Sequence, residues 1–466
     1  MDNLLLLLLI IPLIGCLFIL FSRKNADNAF MVALFTLSSN ILLLLKLLSE
    51  IKRANVIEYS YEWLKNYDVT LVFGADMFSM ILLLGVHIAV IIGLVGLNEN
   101  QRQDKILQFM TLYFMWNITG FLLAKDVIAF YLFFTNMILP LFIMIGLYGN
   151  VKKSVSQSLF FLFNYIGAML FLISMIILYR KSQGSIFWVE MSSFKLPHHL
   201  KVFVWYGIIG AFILRIPVWP LHNWISYISG TIKNPLVYIA TNMLPLTGLY
   251  GIIRFWPLIL PRGVTFVISI IEMFILITMM FIALIGISHK NFLQKLFSYS
   301  TIYYLLFLFS FLVLEDKYVI NIAYSLFIFL IVNASLAVLE MWSDALRAEY
   351  KLNYSGILGH MPHLAILFAF FILIAIGLPI SSMFWNNFTL VSALFRNNFN
   401  EGIWVMIVIL LIALALVYEL YEMLDLKNKS AKDVLVIDIS DRKLAFFMAV
   451  ITVLLLSFFN PLWFVL

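Results

Sequence analysis

Three residue types that can carry chemistry stand close together in an otherwise apolar stretch. Residues 213–223 read Ile-Leu-Arg-Ile-Pro-Val-Trp-Pro-Leu-His-Asn. They combine a fixed positive charge (Arg215), two helix-breaking prolines (Pro217 and Pro220) and an imidazole (His222). A charge near the bilayer centre costs about 2.5–3.5 kcal/mol on insertion scales, and a proline leaves a backbone carbonyl without its helical donor. Because lipid cannot satisfy such groups, we expect this segment to face protein or a hydrated cavity, as an ion path would.

The basic proton-transfer candidates each have a structural alternative. Arg215 is either the ionic switch of a proton path or a static charge bonded to carbonyls freed near Pro217, since an arginine does not deprotonate in practice. His222, of a residue type with a reference pKa of about 6.5, is either a proton relay or a cap on the broken helix. Lys295 is either a proton carrier or, beside His289, an anchor at the membrane interface.

Two pairs of acidic residues lie near the ends of predicted spans. Glu340 and Asp344 are four residues apart, and Glu419 and Glu422 are three apart, so each pair shares one helix face. Each pair either receives a proton or cation or is solvated at the helix end. The sequence favours the solvated interpretation for both pairs.

The elements that must position these residues are membrane-spanning helices. The 466 residues are 64% hydrophobic and 12% charged, with a mean hydropathy of +1.03, which indicates a polytopic membrane protein. The Lys and Arg residues behind the net charge of +6 are scattered through short loops and not gathered on one face, so they do not indicate nucleic-acid binding. Cys16 is the only cysteine, and no dinucleotide or phosphate-binding loop appears. We therefore expect no cofactor and no metal site in this chain, and any redox chemistry would belong to its partners.

Hydropathy predicts fourteen spans, each near the roughly 20 residues that a bilayer requires. The first span is followed directly by Arg23 and Lys24, which favours an outside amino terminus. We expect residues 49–76 and 180–201 to be interfacial loops. The predicted spans are 3–22, 28–48, 77–97, 106–123, 127–149, 156–179, 202–225, 234–254, 263–287, 293–314, 318–342, 363–395, 402–424 and 443–463.

A second broken span is predicted at Gly377-Leu-Pro379, inside a hydrophobic stretch too long for one straight helix. Pro217 and Pro379 then interrupt helices at matching positions of two five-span units, a pattern typical of inverted repeats around a transport path. The predicted fold is an all-α polytopic membrane protein with two inverted five-helix repeats, each containing a broken helix. The predicted divisions are a three-helix region at 1–105, a first repeat at 106–254, a second repeat at 255–425, and a last loop and span at 426–466.

The motifs resemble a known family. Residues 215–224 are similar to the [Lys]-x-Pro-x-[Trp]-Pro-x-His-x-Trp signature of antiporter-like subunits, which are chains L, M and N of respiratory complex I and subunits of Mrp-type Na⁺/H⁺ antiporters. Residues 74–79, 295–300 and 377–379 resemble further motifs of these subunits. The resemblance runs nearly end to end and favours the M chain.

Several relay positions depart from the family pattern. Thr135 stands where the family usually has glutamate, Leu246 where it has lysine, Tyr304 where it has histidine, and Asn387 where it has glutamate or lysine. Arg215 replaces the lysine of the seventh span. Because proton hopping needs groups that both accept and release protons, conduction through this chain is expected to be impaired or lost.

The resemblance implies a membrane subunit of a respiratory NADH–quinone oxidoreductase associated with proton translocation. It would lie in a bacterial inner membrane or an equivalent energy-transducing membrane, with other membrane subunits as partners. Any enzymatic role would be limited to ion translocation. The alternatives are a subunit of an Mrp-type cation/proton antiporter and a non-conducting structural paralogue.

Overall fold

Helices dominate the computed structural model of this chain. Eleven helical segments in its described part are long and apolar enough to cross a membrane, and two shorter apolar helices cover His198–Ile213 and Pro362–Ile376. This agrees with the predicted helical membrane protein. The described residues are 2–21, 27–54, 56–64, 69–149, 153–182, 197–218, 224, 228, 232–261, 265–289, 291–314, 318–350, 357–379, 381–424 and 438–458.

The elements of the amino-terminal half follow one another with short connections. They are α1 (Asp2–Phe21), α2 (Asp27–Ala54), β1 (Ile57–Leu64), β2 (Val69–Ala75), α3 (Met77–Val95), α4 (Glu99–Arg102), α5 (Lys105–Leu123), α6 (Val127–Asn136), α7 (Ile138–Tyr148), α8 (Lys153–Ser182) and α9 (His198–Ile213).

The carboxy-terminal half is helical throughout its described part. Its elements are α10 (Pro235–Asn242), α11 (Leu244–Ile259), α12 (Thr265–Ser288), α13 (Phe292–Val313), α14 (Val319–Tyr350), α15 (Ile357–His360), α16 (Pro362–Ile376), α17 (Ser382–Asn397), α18 (Phe399–Leu424) and α19 (Asp441–Phe458). Each predicted span therefore coincides with a helix or a pair of consecutive helices.

Residues 49–76 correct one prediction, because they are not simply a loop. Helix α2 continues to Ala54, and strands β1 and β2 then pair antiparallel, with Ile57 opposite Ala75. Tyr61 and Trp63 alternate along β1 and remain exposed, as β-forming aromatics do on one face of a strand. The all-α prediction therefore needs one hairpin added. The second predicted loop lies mostly outside the described residues.

Both predicted helix breaks are present. Helix α9 ends at Ile213 and gives way to turns through Pro217, while Pro220 and His222 lie outside the described residues. Helix α16 ends at Gly377, whose φ of 88° is left-handed and favours glycine. A new helix, α17, then begins at Ser382.

The structure contains two further breaks that the hydropathy pattern did not predict. The fifth span divides into α6 and α7 at Met137, and the eighth divides into α10 and α11 at Met243. Pro140 and Pro245 follow these two junctions. Since a proline cannot donate to the carbonyl four residues earlier, each junction has a local cause.

The helices separate into an inner and an outer set. The segments of α3, α10–α11, α13 and α14 are mostly buried, with α14 packed along α3. Those of α1, α2, α8, α12 and α18 expose many apolar side chains, as lipid-facing helices do. Polar side chains on the inner helices are therefore candidates for an ion path.

Candidate ion-path residues

Arg215 is fully buried just beyond the end of α9. Its Nη1 donates to Thr247 Oγ1 at 2.9 Å, and its Nη2 donates to the carbonyl of Phe134. The guanidinium carbon also lies 3.4 Å from the centroid of the Phe134 ring. The contacts are thus a hydroxyl, a carbonyl and an aromatic face, all of them neutral groups.

Helix ends compensate the Arg215 charge. Arg215 follows the last turn of α9, and Phe134 belongs to the last turn of α6, so the guanidinium lies near the negative ends of two helix dipoles. Within the described ranges, no carboxylate lies within ion-pair distance of it. This geometry suits the static charge, one of the two alternatives for this residue.

The substituted positions around Arg215 do not supply an acid or a base. The Thr135 hydroxyl donates back to the carbonyls of Tyr131 and Leu132 on its own helix. Leu246 is buried and apolar, one residue before the threonine that contacts the arginine. Neither position therefore gives Arg215 a titratable partner.

Three neutral side chains on α10, α13 and α14 meet at the centre of the inner helices. The Asn242 amide donates to Ser300 Oγ at 3.2 Å and to the side-chain oxygen of Asn333, and the Asn333 amide donates to Ser300. We call Asn242, Ser300 and Asn333 the amide cluster. The Tyr304 hydroxyl donates to the backbone oxygen of Asn242 at 2.8 Å. Tyr304, at a family relay position, thus serves as a fully buried donor to backbone.

Two small cavities flank the amide cluster. One, of about 20 Å³, is bordered by Ser300, Asn333, Tyr299 and Leu336 among others, and a second, of about 10 Å³, is bordered by Asn242 and Asn333. A water molecule needs roughly 10–15 Å³ of such volume together with polar partners. The amide cluster can therefore carry water and hydrogen bonds, but its side chains do not hold a proton at neutral pH.

The second broken helix is also satisfied by neutral groups. Pro379 frees the carbonyl of Ala375, and the Tyr303 hydroxyl donates to that carbonyl. Asn386 donates to Ser310 Oγ at 3.1 Å, and the adjacent Asn387 is buried. Among the described residues near this break, no acid replaces the family's charged residue at Asn387.

Lys295 and Glu419 form a buried ion pair. For Lys295 the sequence left a proton carrier and an interfacial anchor open, and for Glu419 it favoured a solvated helix end, but the two residues are only 9% and 2% exposed. The Lys295 ammonium also lies 6.0 Å from the ring centroid of Tyr418. The lysine sits near the start of α13 and the glutamate near the end of α18. The fold brings these two helix ends together and buries the pair.

Glu340 likewise differs from its prediction, whereas its neighbour agrees. Glu340 is 2% exposed and accepts from Arg347 Nη2 at 3.1 Å. The same arginine nitrogen lies 2.5 Å from Asp344, whose side chain is 50% exposed. Asp344 is thus the solvated member of the pair, and Glu340 is the buried one. Glu422 is partly exposed and accepts from the Tyr418 hydroxyl.

A separate ion cluster lies where β2 meets α3, and Arg254 joins it from near the end of the span Pro235–Leu258. Asp76 caps α3 through Ser79, and its carboxylate contacts Arg254 at 2.5 Å and Lys125 at 3.4 Å. Burial opposes ionisation of Asp76, but Arg254 and Lys125 outweigh it and hold the pKa of this carboxyl well below its usual range. Gly74 makes room for Lys125, because a Cβ there would lie 2.8 Å from the lysine Cγ and Cε. The Gly-x-Asp-x-x-Ser motif is therefore a cap and an ionic clasp between elements.

A family model described as "NADH:quinone oxidoreductase/Mrp antiporter, TM" matches residues 124–416. This is more than half of the chain. The chain belongs to this family of transmembrane antiporter-like subunits. The match contains both predicted helix breaks, the amide cluster and Lys295, so the family region holds most of the polar interior described above.

Curated relatives of this antiporter-like subunit include M chains of NADH-quinone oxidoreductases. NADH-quinone oxidoreductase subunit M of Rickettsia felis is 24% identical over 407 residues, which cover 83% of this chain and 81% of that protein. The corresponding subunit of Rhodobacter capsulatus is 24% identical over 317 residues, 64% of this chain and 61% of that protein. This chain thus spans about three fifths of the Rhodobacter relative and about four fifths of the Rickettsia one.

Solved structures share the fold of this antiporter-like subunit. A chain of respiratory complex I from Thermus thermophilus superposes with a TM-score of 0.86 at 18% identity, covering 98% of this chain and 96% of that one. A chain of the Mrp complex from Dietzia superposes with a TM-score of 0.82 at 16% identity, covering 99% and 95%. At these identities the likeness establishes the fold alone.

Sequence reasoning identified some functional groups but missed their partners. The two prolines that follow Arg215 marked it as a candidate in the sequence. Its contacts with Phe134 and Thr247 could not be predicted from the sequence, because backbone carbonyls and threonine hydroxyls are common. Lys295 and Glu419 are separated by 124 residues. Their contact is set by the tertiary structure, since no local pattern in the sequence links positions so far apart.

Proposed function

We propose that this antiporter-like subunit is an M-type membrane subunit of a respiratory NADH–quinone oxidoreductase in which proton relay through the first half is lost. The observation that carries the proposal is Arg215. It occupies the position of the family's seventh-span lysine, and among the described residues its guanidinium contacts a carbonyl, a hydroxyl and an aromatic ring. Arginine stays protonated, and no carboxylate lies among the described neighbours of Arg215. It therefore cannot pass a proton to a partner and take one back.

The amide cluster supports the same proposal. Its hydrogen bonds join three inner helices through Asn242, Ser300 and Asn333. Neutral amides and hydroxyls order water without storing charge, so the cluster would keep the interior packed and hydrated while it interrupts relay. The chain would then act as a scaffold that preserves the antiporter-like shape within its complex. We further propose the two inverted repeats at 106–254 and 255–425, an outside amino terminus and a bacterial inner-membrane location.

Membership is tested by tagging the chain, extracting it in mild detergent, separating native complexes and identifying co-migrating chains by mass spectrometry. Peripheral NADH-oxidising subunits in the same band are the expected result. Finding the chain alone would contradict membership in any such complex.

Conduction is tested in that complex with Arg215→Met, which keeps the length of the side chain but removes its charge. Assembly and the ratio of protons moved per NADH oxidised are both measured in proteoliposomes. Because Arg215 is proposed to be static, we expect an unchanged ratio wherever assembly persists. Arg102→Met serves as a matched control, because it removes an arginine outside the inner helices. A lower ratio in Arg215→Met with normal assembly and a normal control would contradict the proposal.

A second candidate function is a subunit of an Mrp-type cation/proton antiporter. The structural match to the Dietzia Mrp chain is nearly as good as the match to the Thermus chain. The co-migration experiment separates the two candidates, because an Mrp-type assembly would contain other membrane chains without NADH-oxidising partners.

A further inference from the structure

A charged site lies away from Arg215, at the end of the second half where α13 begins and α14 and α18 end. It contains the buried Lys295–Glu419 ion pair and the buried Glu340. Glu419 acts electrostatically on Glu340, so the two carboxylates belong to one electrostatic unit. We call Lys295, Glu419 and Glu340 the acid site.

The acid site contains a buried carboxylate oxygen that accepts no hydrogen bond from the described residues. Glu340 uses Oε1 to accept from Arg347, while its Oε2 has no hydrogen-bond partner among the described residues. Glu340 is only 2% exposed, and a buried carboxylate oxygen without a partner is costly. A proton on Glu340 would lower this cost, because it neutralises the carboxylate and turns an acceptor into a donor.

The acid site also has a hydroxyl between it and the centre of the bundle. Tyr299 lies one helical turn after Lys295 on α13, and it interacts electrostatically with Glu419. Its side chain is 2% exposed, and its hydroxyl has no hydrogen-bond partner in the described part of the chain. Tyr299 borders the cavity of about 20 Å³.

Helix α14 also links the acid site to the amide cluster. Asn333, Leu336 and Glu340 are spaced three and four residues apart, so they share one face of α14. Asn333 and Leu336 both border the cavity. The rise from Asn333 to Glu340 is about 10 Å, a distance that one or two waters and a tyrosine hydroxyl can bridge.

We propose that the acid site is a proton-binding site that exchanges protons with the Asp344 end of α14 and faces, through Tyr299 and the cavity, the amide cluster. Asp344 is half-exposed and shares Arg347 with Glu340, so the outer end of the site is open to water. The charged and titratable groups facing the site are Arg347 and Asp344 on α14, Tyr418 on α18, and His289, which precedes α13 and interacts with Lys295. The chain would thus take up a proton in its second half without passing it through the first.

The test uses dicyclohexylcarbodiimide, which attacks protonated carboxyls in apolar surroundings, on native membranes that contain the intact chain. Peptide mass spectrometry locates the adduct. We expect labelling of Glu340 or Glu419, decreasing as the pH rises, and loss of the corresponding adduct in Glu340→Gln or Glu419→Gln. Glu422→Gln is the matched control, because it removes a more exposed acid from the helix face of Glu419, and labelling should persist in this variant.

Three outcomes would overturn the proposal. They are no adduct on either buried glutamate, labelling that does not change with pH, and protection by NaCl but not by choline chloride, which would assign the site to sodium. If a glutamine variant does not accumulate, the adduct map of the unaltered chain still decides. The result is independent of the proposed function, because complex membership is read from native gels and relay through the first half from Arg215→Met.

Discussion

Removal of the Lys295 ammonium should destabilise the protein strongly, because it strands Glu419 in a buried position. Both residues are at least nine-tenths buried and form an ion pair. Breaking a buried pair from one side typically costs about 3–5 kcal/mol. We therefore expect Lys295→Met to lose stability of this order at pH 7.

The size of this loss has a physical ceiling that can be worked out. A stranded carboxylate can take up a proton instead of remaining charged, and protonating a glutamate of reference pKa about 4.3 costs about 3.7 kcal/mol at pH 7. At pH 5 the same step costs only about 1 kcal/mol. The loss caused by Lys295→Met should therefore shrink as the pH falls from 7 to 5.

Cys16 provides the assay. It is the only cysteine of the chain and is 4% exposed, so its alkylation reports unfolding of this subunit even inside a larger complex. Pulse alkylation followed by mass spectrometry should show Cys16 reacting roughly a hundredfold to five hundredfold faster in Lys295→Met at pH 7, since the loss lies between about 3 kcal/mol and the ceiling of about 3.7 kcal/mol and each 1.4 kcal/mol is a factor of ten. Two alkylation times are compared to establish that the extent of Cys16 alkylation reports the equilibrium between the closed and open states of the subunit.

The double variant Lys295→Met/Glu419→Leu is the matched control. It replaces both charges with apolar groups of similar size, and such replacements are often neutral or stabilising. Cys16 should then be protected about as well as in the unaltered chain. The reasoning would be refuted if Lys295→Met reacted less than tenfold faster, or if the double variant were as labile as the single one.

Three further predictions concern the ionic clasp and one helix cap; the first two are checked by the same Cys16 protection assay and the third by hydrogen exchange of α16. Gly74→Ala should destabilise by about 1–3 kcal/mol, because its Cβ would lie 2.8 Å from two carbons of Lys125, and normal protection would contradict the crowding. The pKa of Asp76 is held below its usual range, so its stabilisation is present above about pH 4 and is lost as the pH falls through the folded-state pKa. Arg254→Met should weaken this acid sensitivity, and an unchanged pH profile would argue against the clasp. Asp438→Ala should cost about 0.5–2 kcal/mol, because the carboxylate accepts from two backbone amides at the start of α16, and an unaffected α16 in hydrogen exchange would contradict the cap.

The amount of the fold that can be predicted depends on the range of the forces involved. Spans follow from runs of apolar residues, and the breaks at Pro217 and Gly377–Pro379 follow from local backbone chemistry. The breaks at Met137 and Met243 had comparable local causes in Pro140 and Pro245, but prolines close to a helix start are common and carry little information by themselves. The hairpin at 57–75 was missed because hydropathy does not distinguish an interfacial loop from two short amphipathic strands.

The candidate site likewise has features that residue identity determines and features that only packing determines. The sequence by itself determined that position 215 is an arginine and that residues 135, 246, 304 and 387 carry no carboxylate or basic amine, since residue chemistry does not depend on packing. Only the tertiary structure decided that Arg215 contacts neutral groups and that Glu340 and Glu419 are buried. Helical spacing places acids on a common face but does not say whether that face meets water, lipid or another helix. The tertiary structure decides this, because it brings Lys295 and Glu419, 124 positions apart, into contact and buries both residues.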